Sequence, residues 1–314
     1  MEILHQLHPG GVFLRAEALQ HGYADEDLVR ALRAGVIARV RHGAYVAAES
    51  WKAADPIGQH ALRARAVMLR HGDRVALSHV SGAVVHGLRV WGSELSRVHI
   101  TRLDGLHTRR ITDVAHHMGS QYDGDLEDID GMHVLSPARC AVGTAMTNSV
   151  EAGLVTVDSA YDSFAVTDAD LLGAASVMAG WPGARRLQVT LRLARPGSES
   201  VGETRFRYLC RTMRVPSPEL QYPIRDARGA LIGYSDFAWP EHRLLAEFDG
   251  RVKYEHFLRQ GESPGDAVLR EKVREDRIRE ATGWTILRFV WNDLGRPAET
   301  ARRLRRHMHG LEAA

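Results

Sequence analysis

Lysine and cysteine are the scarce residues of this chain. Lysine occurs only at Lys52, Lys253 and Lys272, although Lys and Arg together number 41 in 314 residues. The cations are therefore almost all arginine, which a GC-rich coding bias accounts for, and the place of each lysine carries more meaning. The only cysteines, Cys140 and Cys210, lie far apart and form no CxxC pair. That argues against a structural zinc site or a disulfide framework and fits a reducing cytoplasm. No stretch approaches 18 uninterrupted apolar residues, so no membrane span is expected. The opening MEILHQLHPGG lacks the basic and apolar regions of a signal peptide. Charge of one sign is also lacking: the net value is +2, too small to announce nucleic-acid binding. There is no fixed-period repeat and no low-complexity tract. What is present, 44% apolar and 25% charged residues, is ordinary for a soluble globular protein long enough for two or three domains.

The pattern predicts a multi-domain α+β chain of the α/β class in three parts. Residues 1–50 read as a small helical unit ending in a hairpin. A short helix over 15–22 closes at Gly22. Asp25 is placed to cap the next helix, whose apolar face is Leu28, Val29 and Leu32, and Gly35 stops it. Val36–Arg41 and Ala44–Val46 then flank the turn His42-Gly43. Helix, helix and two-stranded wing is the order of a winged helix-turn-helix; a generic helical cap with a hairpin is the bland alternative. On the first reading Arg39, Arg41 and His42 in the wing, with helix 25–34, would contact DNA, arginines supplying phosphate contacts and base contacts any selectivity. Residues 1–50 nevertheless carry more acids than bases, a modest electrostatic footprint.

Residues 51–195 form an α+β middle region. Helices are expected at Ala61–His71, within ALSHVSGAVVHGL (76–88), whose small residues suit tight packing, and near Ala138–Ala145, Leu154–Tyr161 and Asp168–Met178. Strands are expected at Val98–Thr101, Val114–His117 and Met132–Leu135. The histidines, His116 and His117 included, show no ligand spacing. The stretch ARPGSES (194–200) combines proline, glycine and serine and is the best linker candidate.

Residues 196–314 carry the chemistry. Glu203–Met213 is a predicted helix with Phe206, Leu209, Cys210 and Met213 on one side. Leu220–Ile224, Leu231–Trp239 and His242–Asp249 are predicted strands, Ala267–Thr282 a helix ending at Gly283, and Thr285–Trp291 a strand. Asn292 is placed to cap a last, arginine-rich helix. Asp236 falls in the second strand, and Glu247 and Asp249 in the third. Strand side chains alternate, so Glu247 and Asp249 point one way and Ala246 and Phe248 the other. Three converging carboxylates repel unless a cation sits among them, and oxygen-only ligands suit Mg²⁺ or Mn²⁺. Such an ion polarises a phosphodiester and activates water. Solvated edge-strand charges are the plain alternative, opposed by the apolar Leu244, Leu245, Ala246 and Phe248 around them.

At these residues the chain resembles a known group. SDFAWPEHRLLAEFDGRVKY followed by LREKVREDRIREATGWTILRFVWNDL resembles Vsr-like nuclease domains of the PD-(D/E)XK superfamily, with a restriction-endonuclease-like αβββαβ core. RVRHGAYV and ALSHVSGAVVHGL are similar to AbiEi-type antitoxins, whose N-terminal domain is a winged helix. The resemblance implies that Asp236 is the first metal-binding aspartate, Glu247 its paired acid, and Glu203 a further acid supporting the metal. Two residues after the paired acid the superfamily usually has lysine, and here stands Asp249. A carboxylate cannot directly replace a lysine that positions a nucleophile or stabilises developing charge. Lys253 and Lys272 are the candidate substitutes. Lys272 lies on the following helix, four residues from Asp276, where an ordinary ion pair is also available.

Three readings stay open. The first is a cytoplasmic, metal-dependent DNA endonuclease, acting in defence against foreign DNA. The second is an antitoxin-like transcriptional repressor with an inactive nuclease-type domain. The third is an antitoxin that binds a cognate toxin and never touches DNA.

Overall fold

The structure, a computed structural model, describes residues 11–105, 113–119, 124–250 and 263–309. The chain forms two compact units, residues 1–194 and 195–314. The division falls at the start of ARPGSES.

The first unit opens with strand β1 (Val12–Leu14), helix α1 (Arg15–Gln20) and helix α2 (Asp25–Arg33), and strands β2 (Ile37–Arg41) and β3 (Ala44–Ala47) follow. The α1–α2 corner turns at Gly22, with φ +85°, in the left-handed region that glycine enters without steric cost. Asp25 does not cap α2. Its carboxylate accepts from Arg15 Nε at 2.6 Å, and Asp27 instead reaches back to the Ala24 backbone N–H at 2.8 Å. The buried stripe of α2 is Leu28 with Ala31 and Leu32, packed against Phe13, Ala18, Ile37 and Tyr45. Val29 faces out, 43% exposed. The hairpin turns at His42-Gly43, with Gly43 at φ +73°. β1 pairs antiparallel with β3, completing a three-stranded sheet in the order β1-β3-β2.

Helix α3 (Ala48–Ala53) leads into α4 (Pro56–His71), which starts five residues earlier than the apolar pattern indicates. The Asp55 carboxylate accepts from Gly58 N–H at 2.7 Å, and Pro56 takes a position where no N–H is needed. Next come β4 (Val75–Leu77), α5 (His79–Val85), β5 (Val98–Arg102), β6 (Val114–Met118), β7 (Leu126–Ile129) and β8 (Met132–Leu135). These five strands form a mixed sheet in the order β6-β5-β4-β8-β7. Helices α6 (Pro137–Thr147), α7 (Val150–Phe164), α8 (Asp168–Val177) and α9 (Ala184–Leu193) complete the unit. α6 is buried from Pro137 through Met146. Small residues allow that depth: a Cβ on Gly82 would stand 2.3 Å from Cys140 Sγ, and one on Gly153 would stand 2.7 Å from Ala145 Cα. Cys140 and Cys210 are both free and buried; burial pushes the first thiol well above its usual range and the second up to about 12, so neither supplies a thiolate nucleophile.

The second unit contains α10 (Val201–Thr212), β9 (Glu219–Arg225), β10 (Leu231–Trp239), β11 (Leu244–Asp249), α11 (Pro264–Thr282), β12 (Thr285–Val290), α12 (Trp291–Leu294) and α13 (Pro297–His309). β11 begins later than expected, because Pro240–His242 makes a 3₁₀ turn and Arg243 takes a left-handed φ of +45°. Asn292 lies inside α12 rather than capping the last helix, which begins at Pro297. The sheet order is β12-β11-β10-β9, with β11 and β12 parallel and the other pairs antiparallel. Alternation along the strands divides the apolar residues. Phe237, Trp239, Leu244, Ala246, Phe248, Leu287 and Phe289 meet α10 and α13 on one face. Ala238, Leu245 and Ile286 meet Ile278 of α11 on the other. Gly202 lets α10 approach closely, since a Cβ there would lie 2.1 Å from Phe248 Cε1. Among the described residues, no helix is long and apolar enough to cross a membrane.

Candidate functional site

The candidate residues fall in two places, one in each unit. In the first, α1 and α2 meet at a tight corner and the β2–β3 hairpin follows. The outward side of α2 presents Glu26, Val29, Arg30 and Arg33. Arg30 is ion-paired with Asp27 within the helix. In the hairpin, Arg39 and His42 are exposed. Arg41 is not: its side chain is 10% exposed, with Nε 3.1 Å from Asp113 Oδ2 and Nη2 3.3 Å from Oδ1. A guanidinium held by two carboxylate contacts is spent on structure before any ligand arrives. The Arg15 guanidinium also draws the exposed Asp25 carboxyl below its usual range.

The second place is the α11-facing side of the β9–β12 sheet. Phe237 pairs with Ala246, which sets Asp236 directly across from Glu247. Glu247 and Asp249 share that face, while Phe248 between them points into the opposite core. Glu247 is 8% exposed. A buried carboxylate requires compensation, and arginines supply it. Arg274 of α11 donates from Nη2 to Glu247 Oε1 at 2.6 Å and from Nη1 to the Tyr234 carbonyl at 3.1 Å. Arg288 of β12 places Nη2 3.6 Å from Glu247 Oε2 and 2.9 Å from Glu275 Oε2, and its Nη1 3.4 Å from Asp249 Oδ2. Asp236 Oδ2 accepts the Phe248 backbone N–H at 2.8 Å.

Of the other expected members of this site, the structure describes Glu203 and Lys272. Glu203 belongs to α10, on the opposite face, and is engaged at the start of its own helix. It accepts from the Glu199 N–H at 2.8 Å and the Ser200 hydroxyl at 2.7 Å, with Gln221 Nε2 at 3.4 Å. Lys272 is exposed on α11, three residues before Glu275. Asp276 lies 3.7 Å from Arg279. Lys253 lies outside the described residues. Guanidiniums stand beside both oxygens of Glu247, and among the described residues these acids do not bring three ligand atoms within 4.8 Å of one another. Sequence reasoning found the acids and missed Arg274, Arg288 and Glu275. The signal available was that Arg274 and Glu275 precede Ile278 at spacings that share a helix side.

Residues 2–48 match the family described as "Transcriptional regulator, AbiEi antitoxin", a span that takes in α1, α2 and the hairpin. The chain is 31% identical over 184 residues to two curated proteins of Mycobacterium tuberculosis, Uncharacterized protein MT2308 (strain CDC 1551 / Oshkosh) and Uncharacterized protein Rv2248 (strain ATCC 25618 / H37Rv). That similarity covers 58% of this chain and 64% of each relative, so the chain spans just under two thirds of their length. The crystal structure of the RV2827C protein from the same organism is similar at 15% identity and a TM-score of 0.35, over 59% of this chain and 76% of that one.

Proposed function

We propose that this chain is a DNA-binding transcriptional regulator of the antitoxin type, reading DNA through a winged helix-turn-helix within residues 1–50. The observation that carries the reading is the match of residues 2–48 to a family of transcriptional regulators. The α1–corner–α2–hairpin order over that span supports it. α2 is the recognition helix, offering Arg30 and Arg33 to phosphates and base edges and Val29 to a thymine methyl. Arg39 and His42 are the wing contacts, and Arg41 holds the wing in place through Asp113. The second unit is read as a restriction-endonuclease-like domain whose acids are closed by Arg274 and Arg288, kept for assembly or for a cognate toxin.

The test is binding to the DNA upstream of the chain's own gene, compared with an unrelated duplex across several salt concentrations. Arg33→Ala and Arg39→Ala should each weaken binding and lower the salt slope by about one unit. Equal affinity for both duplexes, unaltered by either substitution, refutes the reading.

A second reading keeps the endonuclease. Asp236, Glu247 and Asp249 share one sheet face, which favours it. Mg²⁺ or Mn²⁺ would be held by these acids with support from Glu203, and Lys253 or Lys272 would supply the missing cation. It requires Arg274 to leave Glu247. Plasmid cleavage with Mg²⁺ or Mn²⁺, lost in Asp236→Ala, supports it; no cleavage with either ion eliminates it.

A further inference from the structure

Three histidines distant in sequence meet in the first unit. His79 opens α5, its ring buried and its φ +51°, in a region costly for a residue with a side chain. α6 leaves room for that ring at Gly143, where a Cβ would lie 2.9 Å from His79 Cγ and Cδ2. β5 and β6 run parallel with His99 opposite Ala115 and Thr101 opposite His117, so His99 and His117 share a sheet face. His99 Nδ1 stands 3.0 Å from His117 Nε2, and His79 stacks on His117 with ring centroids 3.6 Å apart. One nitrogen from each ring lies within 4.8 Å of the others, the one such grouping of three His, Cys, Asp or Glu among the described residues.

We propose that His79, His99 and His117 form a binding site for a divalent transition-metal ion of the Zn²⁺ class. Zn–N bonds of about 2.1 Å in a tetrahedron place ligand nitrogens about 3.4 Å apart. The His99–His117 pair is within a few tenths of an ångström of that spacing, held by one shared proton. The ion takes the proton's place, the donor ring moves its proton to its other nitrogen, and His79 swings off the stack to complete the set. The surroundings fix part of the set. His79 Nδ1 is 3.0 Å from Ser78 Oγ, which leaves Nε2 for the ion. Ser81 Oγ accepts the His99 backbone N–H at 2.8 Å and meets His60 Nε2 at 2.8 Å, tying β5 to α4. All-imidazole ligation favours Zn²⁺, Ni²⁺ or Cu²⁺ over the oxygen-seeking Mg²⁺ and Mn²⁺. His99 and His117 are only partly buried, so the fourth position is left on their side for water or an exchangeable ligand. Burial also keeps the rings in the neutral form that binds metals: His79 is pushed well below the usual histidine range, His99 to about 3 and His117 to about 4.

The experiment uses the full chain freed of metal by chelation, titrated with Zn²⁺ by calorimetry and with Co²⁺ by visible absorption. The expected result is one tight site per chain, with the intense bands of four-coordinate Co²⁺ and no competition from Mg²⁺. His99→Gln and His117→Gln should each weaken Zn²⁺ at least about tenfold. His116→Gln, the neighbouring residue on the other side of β6, should leave the affinity unchanged. Equal Zn²⁺ affinity in the His99→Gln and His117→Gln chains overturns the proposal. So does a six-coordinate Co²⁺ spectrum in the unaltered chain, a readout that depends on no variant folding.

Discussion

Replacing Arg274 by methionine tests whether arginines, rather than a metal ion, keep the acidic face of the second unit together. The pair to be broken is the 2.6 Å contact between Arg274 Nη2 and Glu247 Oε1. At about 4 Å between charge centres and an effective dielectric constant of about 20, the gross attraction is about 4 kcal/mol. Two features reduce it. The Arg274 side chain is 30% exposed, and Arg288 Nη2 remains 3.6 Å from the other Glu247 oxygen. The expected coupling in an Arg274→Met, Glu247→Gln double-mutant cycle is therefore about 1–2 kcal/mol. Urea denaturation followed by tryptophan fluorescence reads it, since Trp239 and Trp284 lie in this unit. The single Arg274→Met chain should lose stability in chelator and recover part of it in millimolar Mg²⁺, because the exposed carboxylates then have room for an ion. Additive single and double variants, with a coupling below about 0.3 kcal/mol, would refute the arginine closure.

Two further outcomes follow from packing and protonation. Gly202→Ala drives a Cβ to 2.1 Å from Phe248 and should destabilise the second unit by about 1–3 kcal/mol in the same denaturation, with Gly173→Ala, which meets nothing, as control. His99 and His117 stay neutral in the folded first unit near neutrality, whereas in the unfolded chain each takes up a second ring proton near 6.5. Their contribution is full above about pH 6.5 and is lost as pH falls toward the folded values of about 4 and about 3. In chelator, stability should drop by roughly 2 kcal/mol per ring between pH 7 and pH 5, and an unchanged pH slope in a His99→Gln, His117→Gln chain would contradict this.

Much of the second unit was legible because its signals are local. Strand alternation put Glu247 and Asp249 on one face, and the order of elements put Thr285–Val290 in the same sheet as Leu244–Asp249. Arg274 and Arg288 escaped notice because arginine is so abundant here that its positions stand out nowhere. The histidine trio was illegible for another reason: the parallel pairing of β5 with β6, and the return of α5 to their ends, are non-local facts. β1 and β4 are three residues each, too short for periodicity to register, and β7 reads LEDI, with no alternation to find. Asp25 was a sound cap candidate by residue type, and Arg15 decided otherwise.

The helix α4 belongs to two cores at once. Ala66, with Leu62 and Leu69, packs against Val12, Val40, Ala44 and Val46 of the three-stranded sheet. Ala64, Val67 and Met68 pack into the core of the five-stranded sheet. The segment that matches transcriptional regulators ends at residue 48, yet the side chains that roof its sheet come from beyond residue 60. A fragment ending at residue 50 would therefore leave an apolar sheet face without a cover and should not hold its shape alone. The portable module, for grafting or for isolated study, has its earliest rational end after His71, and α4 cut from there would in turn bare the side it gives to the five-stranded sheet.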